Sequence, residues 1–156
     1  MTKDNIKFKL SCSSSGEVYL ELLKLIKAEH INSIRDFLIH RENENPFDMG
    51  GGIAFPHGRI NLIKTPLVAV GLSPKKGIPF PSKSGSRKIS TYLIFMLLLP
   101  SSDYPVNIAG KSKQYINAIS SVAKFLRTIK SKKLVKSFKS EPDFLNFVEK
   151  YLEENG

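Results

Sequence analysis

Acidic residues are nearly missing from the middle of this chain. Between positions 49 and 140, Asp103 stands alone against sixteen lysines and arginines. That segment carries +15, the flanks −1 and −4, and the whole +10. Such a field attracts anions and steers phosphorylated or acidic partners. It suits nucleic acid equally well, and it also arises where a lysine-rich surface is merely solvated, which is the first reading for the many lone lysines. Cysteine is scarce too. Cys12 is the sole cysteine, which excludes an internal disulfide and a cysteine metal cluster; a small buried residue is the expected role. Long apolar runs are absent: the longest, Leu93 to Leu99, falls far short of the ~20 residues that span a bilayer, so it reads as a buried strand. Residues 1 to 9 are polar and charged, with no apolar leader core. The expectation is a cytoplasmic protein without membrane insertion. No P-loop, nucleophilic serine motif, His/Cys/Asp metal cluster, internal repeat or low-complexity tract is found, so no cofactor and no metal are expected.

What is present fits one ordinary domain over residues 1 to 156, with 41% hydrophobic and 10% aromatic residues. Ile6 to Leu10 alternates apolar and basic, as a half-buried strand does. Ser13-Ser14-Ser15 offers a helix cap with Glu17 in the first turn, and Val18, Leu22, Leu25 and Ile26 carry a helical stripe to about Glu29. A second, short helix fits Ser33 to His40, and the first break comes at Asn43 to Gly52. Leu67 to Val70 reads as a buried strand, Lys75 to Lys88 as a long loop or ragged edge in which Ile78-Pro79-Phe80 at most touches a sheet edge, and Leu93 to Leu99 as the central strand. Helices are predicted over Gln114 to Ile129 and Ser131 to Phe138, with a last one opening at Pro142. This mixture predicts an α/β fold: a mixed sheet of about five strands flanked by helices.

The chemistry concentrates in residues 50 to 59, Gly-Gly-Gly-Ile-Ala-Phe-Pro-His-Gly-Arg. Three glycines permit a tight turn and close backbone approach. Ile53 to Phe55 suits a short buried strand that Pro56 ends, leaving His57 at its rim with Gly58 giving clearance. Arg59 adds a permanent cation two residues on. A displayed imidazole beside a guanidinium suits a phosphoryl group, though a turn that happens to contain a histidine has the same composition. A histidine that accepts phosphate must be neutral, because the attacking nitrogen needs its lone pair. Nearby cations disfavour imidazolium and stabilise the transferring oxygens. Amides of Gly51, Gly52 and Gly58 are candidate anion donors. His30 and His40 lie in helical segments without a partner at useful spacing and read as surface residues.

The same ten residues resemble the active-site signature of the fructose/mannitol-type enzyme IIA domain of the bacterial phosphotransferase system, including its nitrogen-regulatory branch. The resemblance runs from about residue 10 to 152. It implies that His57 takes phosphate from a small histidine phosphocarrier protein and passes it to a downstream regulatory protein or IIB component. It further implies that Arg41, of the pair Arg41-Glu42, lines the site. Tyr115 stands where the family usually has a second histidine, and Pro46-Phe47 where it has a Ser-Thr pair. Arg87 and Lys88 lie where an acidic residue is usual. A domain of this size standing alone suits the nitrogen-regulatory branch. The rival expectation is a protein-binding regulator with weak or no phosphotransfer, favoured by Phe47 and Tyr115. A nucleic-acid-binding module ranks third, since no aromatic-basic motif of a known type is present.

Overall fold

The computed structural model describes residues 1–85, 87–101, 108–129 and 132–155, without the side chains of 108–116 and 132. A mixed sheet forms the middle layer. Its strands are β1 (Ile6–Phe8), β2 (Asp48–Gly50), β3 (Ile53–Ala54), β4 (His57–Ile60), β5 (Leu67–Leu72) and β8 (Leu93–Pro100). A separate hairpin joins β6 (Ile78–Pro81) to β7 (Lys88–Thr91). The helices are α1 (Ser15–Leu25), α2 (Ile31–Glu44), α3 (Ile108–Thr128), α4 (Lys132–Ser137) and α5 (Glu141–Asn155).

The apolar run of β8 makes it the organising strand. β5 pairs with it antiparallel, and β3 and β4 pair with it parallel along its other edge; the main path runs β1-β5-β8-β3-β2. Side chains alternate across a strand, and β8 uses both faces. Ile94, Met96 and Leu98 enter a core with Val18, Tyr19, Leu22, Leu23, Ile34 and Leu38 of α1 and α2. Leu93, Phe95 and Leu97 enter a second core with Phe125, Leu126, Val135, Phe138 and Phe144 of the region from α3 to α5. Burial on both faces explains why this strand reads as a continuous hydrophobic run rather than an alternating one.

Several boundaries differ from the sequence reading. The mixed sheet itself is as expected: five strands on the main path and β4 beside β8. Pro56 does not end the strand path. The chain resumes pairing at His57, with His57, Gly58, Arg59 and Ile60 opposite Leu97, Leu98, Leu99 and Pro100. His57 is thus the first residue of a strand, because the Pro56 carbonyl accepts from the Leu97 amide at 3.0 Å and needs no donor from the proline. The stretch predicted as a long loop or ragged edge over 75–88 contains β6 and the start of β7: Ile78 and Phe80 point inward while Pro79 and Pro81 do not need their missing amides at an edge. Helix α2 starts two residues early, after His30 in the left-handed region at φ 57°, and runs to Glu44. α3 begins at Ile108, so Tyr115 falls inside it rather than at its start. The side chain of Tyr115 lies outside the described residues.

Candidate functional site

His57 is held by local geometry. Its Nδ1 lies 2.6 Å from the Phe55 carbonyl oxygen. A carbonyl only accepts, so the ring carries its proton on Nδ1 and leaves the lone pair on Nε2. The ring stacks on Phe55 at 4.4 Å between centroids and meets Phe47 at 5.6 Å in a tilted contact. Burial between these rings is the main force that pulls the His57 pKa below 6.5; Arg41 and Lys83 push the same way, and the Phe55 carbonyl opposes them. Near neutral pH the imidazole is therefore uncharged, as a nucleophile requires.

A cavity of 180 Å³ opens beside the ring, lined by Arg41, Glu44, Asn45, Pro46, Phe47, Met49, Phe55, His57 and Lys83. At about 30 Å³ of liquid volume per water, it has room for a phosphoryl group. The guanidinium of Arg41 lies over the Phe37 ring at 5.6 Å. Its neighbour Glu42 is only 3% exposed and turns the other way into the core. The Glu42 carboxylate accepts from Ser15 Oγ at 2.9 Å and from the Tyr19 hydroxyl at 3.0 Å, both on α1. Consecutive residues of a helix point about 100° apart, so fixing Glu42 inward sends Arg41 outward to the cavity.

Of the residues singled out from the sequence, His57, Arg41, Pro46 and Phe47 meet in this cavity; Arg59 does not line it. Arg59 lies two residues along β4, on the same side of the strand as His57 by the two-residue alternation. Gly51 and Gly52 are outside the lining as well. They form the turn between β2 and β3 at φ 65° and 81°, where a residue with a side chain would be strained. The Gly52 carbonyl accepts from the amides of Tyr92 and Leu93 at 2.7 and 3.1 Å, and a Cβ there would sit 2.8 Å from Tyr92. The clearance at Gly58 is taken up by packing: a Cβ would sit 2.9 Å from the Phe37 ring that carries Arg41. Lys83, Glu44 and Phe55 were not marked by the sequence reading as site residues. Lys83 is one lysine among many, and nothing in its local pattern distinguishes it. Among the described residues no group of three or more His, Cys, Asp and Glu side chains is arranged to hold a metal ion, and no helix is long and apolar enough to cross a membrane. Cys12 is partly exposed rather than buried, and its thiol is pushed up to about 11, chiefly by desolvation.

Comparison with known proteins places these features in a group. The family model described as "Phosphoenolpyruvate-dependent sugar phosphotransferase system, EIIA 2" matches residues 1–151. The fructose-specific EIIABC component of the phosphotransferase system of Bacillus subtilis is 23% identical over 155 residues, 97% of this chain. The chain spans 22% of the length of that relative. The crystal structure of nitrogen regulatory protein IIA-Ntr from Neisseria meningitidis is similar at a TM-score of 0.71 and 18% identity, covering 91% of each chain. IIA mannitol from Escherichia coli is similar at a TM-score of 0.60 and 16% identity, over 94% of this chain and 96% of that one.

Proposed function

The chain belongs to the EIIA 2 family of the phosphoenolpyruvate-dependent sugar phosphotransferase system, and from that premise we propose that it is a phosphocarrier whose acceptor is Nε2 of His57. One observation carries the reading: the hydrogen bond from Nδ1 to the Phe55 carbonyl, which leaves the Nε2 lone pair on a neutral ring at a cavity lined by cations. The donor in this reading is a phosphorylated histidine on a small carrier protein. As the Nε2–P bond forms, the P–N bond to the donor breaks and its electron pair returns to the donor nitrogen. His57 keeps its Nδ1 proton, and the positive charge arising on the ring is stabilised by the Phe55 carbonyl. Arg41 grips the phosphoryl oxygens with a planar fork, and Arg59 adds charge from farther along the strand. The protein works in the cytoplasm, where its carrier partner is found.

For the recipient we favour a regulatory protein, as the name of the Neisseria protein suggests for that molecule, over a IIB component. The Phe47 ring against His57 supports this, because an aromatic wall beside the acceptor restricts approach. A regulator reports its phosphorylation state and tolerates slow transfer better than a sugar carrier does. The same contact favours the second reading, a protein-binding regulator on this fold with little transfer. Incubation of wild type and His57→Ala with the carrier and its phosphate source, followed by intact-mass measurement, decides. Wild type gains one phosphoryl group and the Ala variant none; phosphate on the Ala variant would move the acceptor elsewhere.

A further inference from the structure

The connection between β6 and β7 brings a second cation to the His57 cavity. We propose that Lys83 grips the phosphoryl group together with Arg41, an inference that rests on the reading of His57 as acceptor. Lys83 lines the 180 Å³ cavity together with His57 and Arg41. It also lines an adjoining cavity of 440 Å³ that contains Arg87 and Lys88, and Lys83, Glu44 and Pro46 are common to both. The lysine therefore stands between the acceptor pocket and a cleft lined by Arg87 and Lys88 as well as by Glu42 and Glu44. Neither Arg41 nor Lys83 has an ion pair among the described residues, so both cations remain available to an anion. Glu44 is the one acidic group lining the pocket, and it pairs with His40 on the exposed face of α2 at 3.0 Å.

The support behind Lys83 is built, not accidental. The turn that carries it is closed by the amides of Ser84 and Gly85, which donate to the Ser82 hydroxyl and carbonyl at 3.1 and 3.0 Å, with Gly85 at φ 79°. Below the turn, Phe80 is 1% exposed and packs edge-on against Tyr19 at 6.0 Å. Tyr19 in turn donates to Glu42, the residue next to Arg41. One buried tyrosine thus anchors both the helix that delivers Arg41 and the hairpin that delivers Lys83. The two cations differ in use. The fork of Arg41 fixes geometry, whereas a lysine on a flexible stem follows the oxygens as the phosphoryl group moves from donor to acceptor. The shared pull of Arg41 and Lys83 on the His57 pKa agrees with this placement.

The test compares wild type, K83Q, K83R and a control, K133Q, on α4 at the opposite face of the sheet. Two readouts are taken: the rate of phosphorylation by the donor, and the shift of the His57 imidazole signals on titration with inorganic phosphate. K83Q is expected to slow phosphorylation on the order of tenfold and to weaken the phosphate titration several-fold. K83R retains most of both, and K133Q matches wild type. Equal rates and equal phosphate titration in K83Q and wild type overturn the role of Lys83 while leaving the acceptor reading intact. If wild type takes no phosphoryl group on His57 but K83Q still weakens the phosphate titration, the phosphocarrier reading fails and Lys83 stands as an anion ligand.

Discussion

Glu42 is the hidden support of the site, and replacing it separates support from chemistry. In Glu42→Ala the hydroxyls of Ser15 and Tyr19 lose their shared acceptor inside the core. An unsatisfied buried donor costs about 1–3 kcal/mol, so two of them cost roughly 2–6 kcal/mol. For a protein of this size each kcal/mol lowers Tm by about 2–4 °C, which gives a fall of roughly 4–24 °C. Glu42→Gln keeps the shape and one acceptor and should cost about 1 kcal/mol near neutral pH. The pH dependence adds a sign that mere packing would not. Burial raises the Glu42 pKa above 4.5, against the pull of Ser15, Tyr19 and Lys88. The folded state then holds the proton more tightly than the unfolded chain, so this contribution is complete below 4.5 and is lost as pH rises through the folded value. The stability of wild type minus that of Glu42→Gln should therefore shrink as pH rises through this window, since glutamine cannot titrate. Thermal melts of both variants across the window measure it. A difference that grows with pH, or an Ala variant that melts with wild type, would mean that Glu42 does not hold these two hydroxyls in the core.

Two further outcomes follow from the cavity lining. Arg41→Lys should slow phosphorylation on the order of tenfold or more, because lysine keeps the charge and loses the fork; Arg59→Lys should slow it less, since Arg59 lies outside the lining. Equal effects, compared in single-turnover transfer, would mean that distance to the cavity does not govern the arginines. Phe47→Thr removes a buried ring from the face of His57; it should cost about 3 kcal/mol in stability and move the His57 pKa up toward its ordinary value, read from imidazole NMR titration. An unchanged pKa would assign the desolvation to Phe55 alone.

Much of this arrangement was legible in the chain. The run from Leu93 to Leu99 declared the central strand because both of its faces are buried, and the run Ser13-Ser14-Ser15 declared the start of α1, where it is the Ser14 hydroxyl that accepts from the Glu17 amide at 3.3 Å. The glycine-rich segment located His57. The hairpin shows in the sequence only as a ragged edge, because Pro79, Pro81 and a serine-rich turn mask the alternation of Ile78 and Phe80. β4 escaped because a proline commonly ends a strand, and here a parallel partner takes up the chain again at once. Nothing local marks Glu42 as buried: its two hydroxyl partners lie 27 and 23 residues away. Such long-range pairs leave no local pattern. The same holds for Lys83, which only the fold sets beside Arg41.

Phosphoryl transfer to His57 turns on one nitrogen atom. If the Phe55 carbonyl holds the Nδ1 proton throughout the reaction, the phosphoryl group must arrive on the other side of the ring. NMR of phosphorus and of nitrogen-labelled histidine on the phosphorylated protein distinguishes the two linkages directly. The account predicts a single phosphohistidine, His57, bonded through Nε2, with Nδ1 still protonated and hydrogen-bonded. A phosphoryl group on Nδ1, or on any residue other than His57, would contradict it.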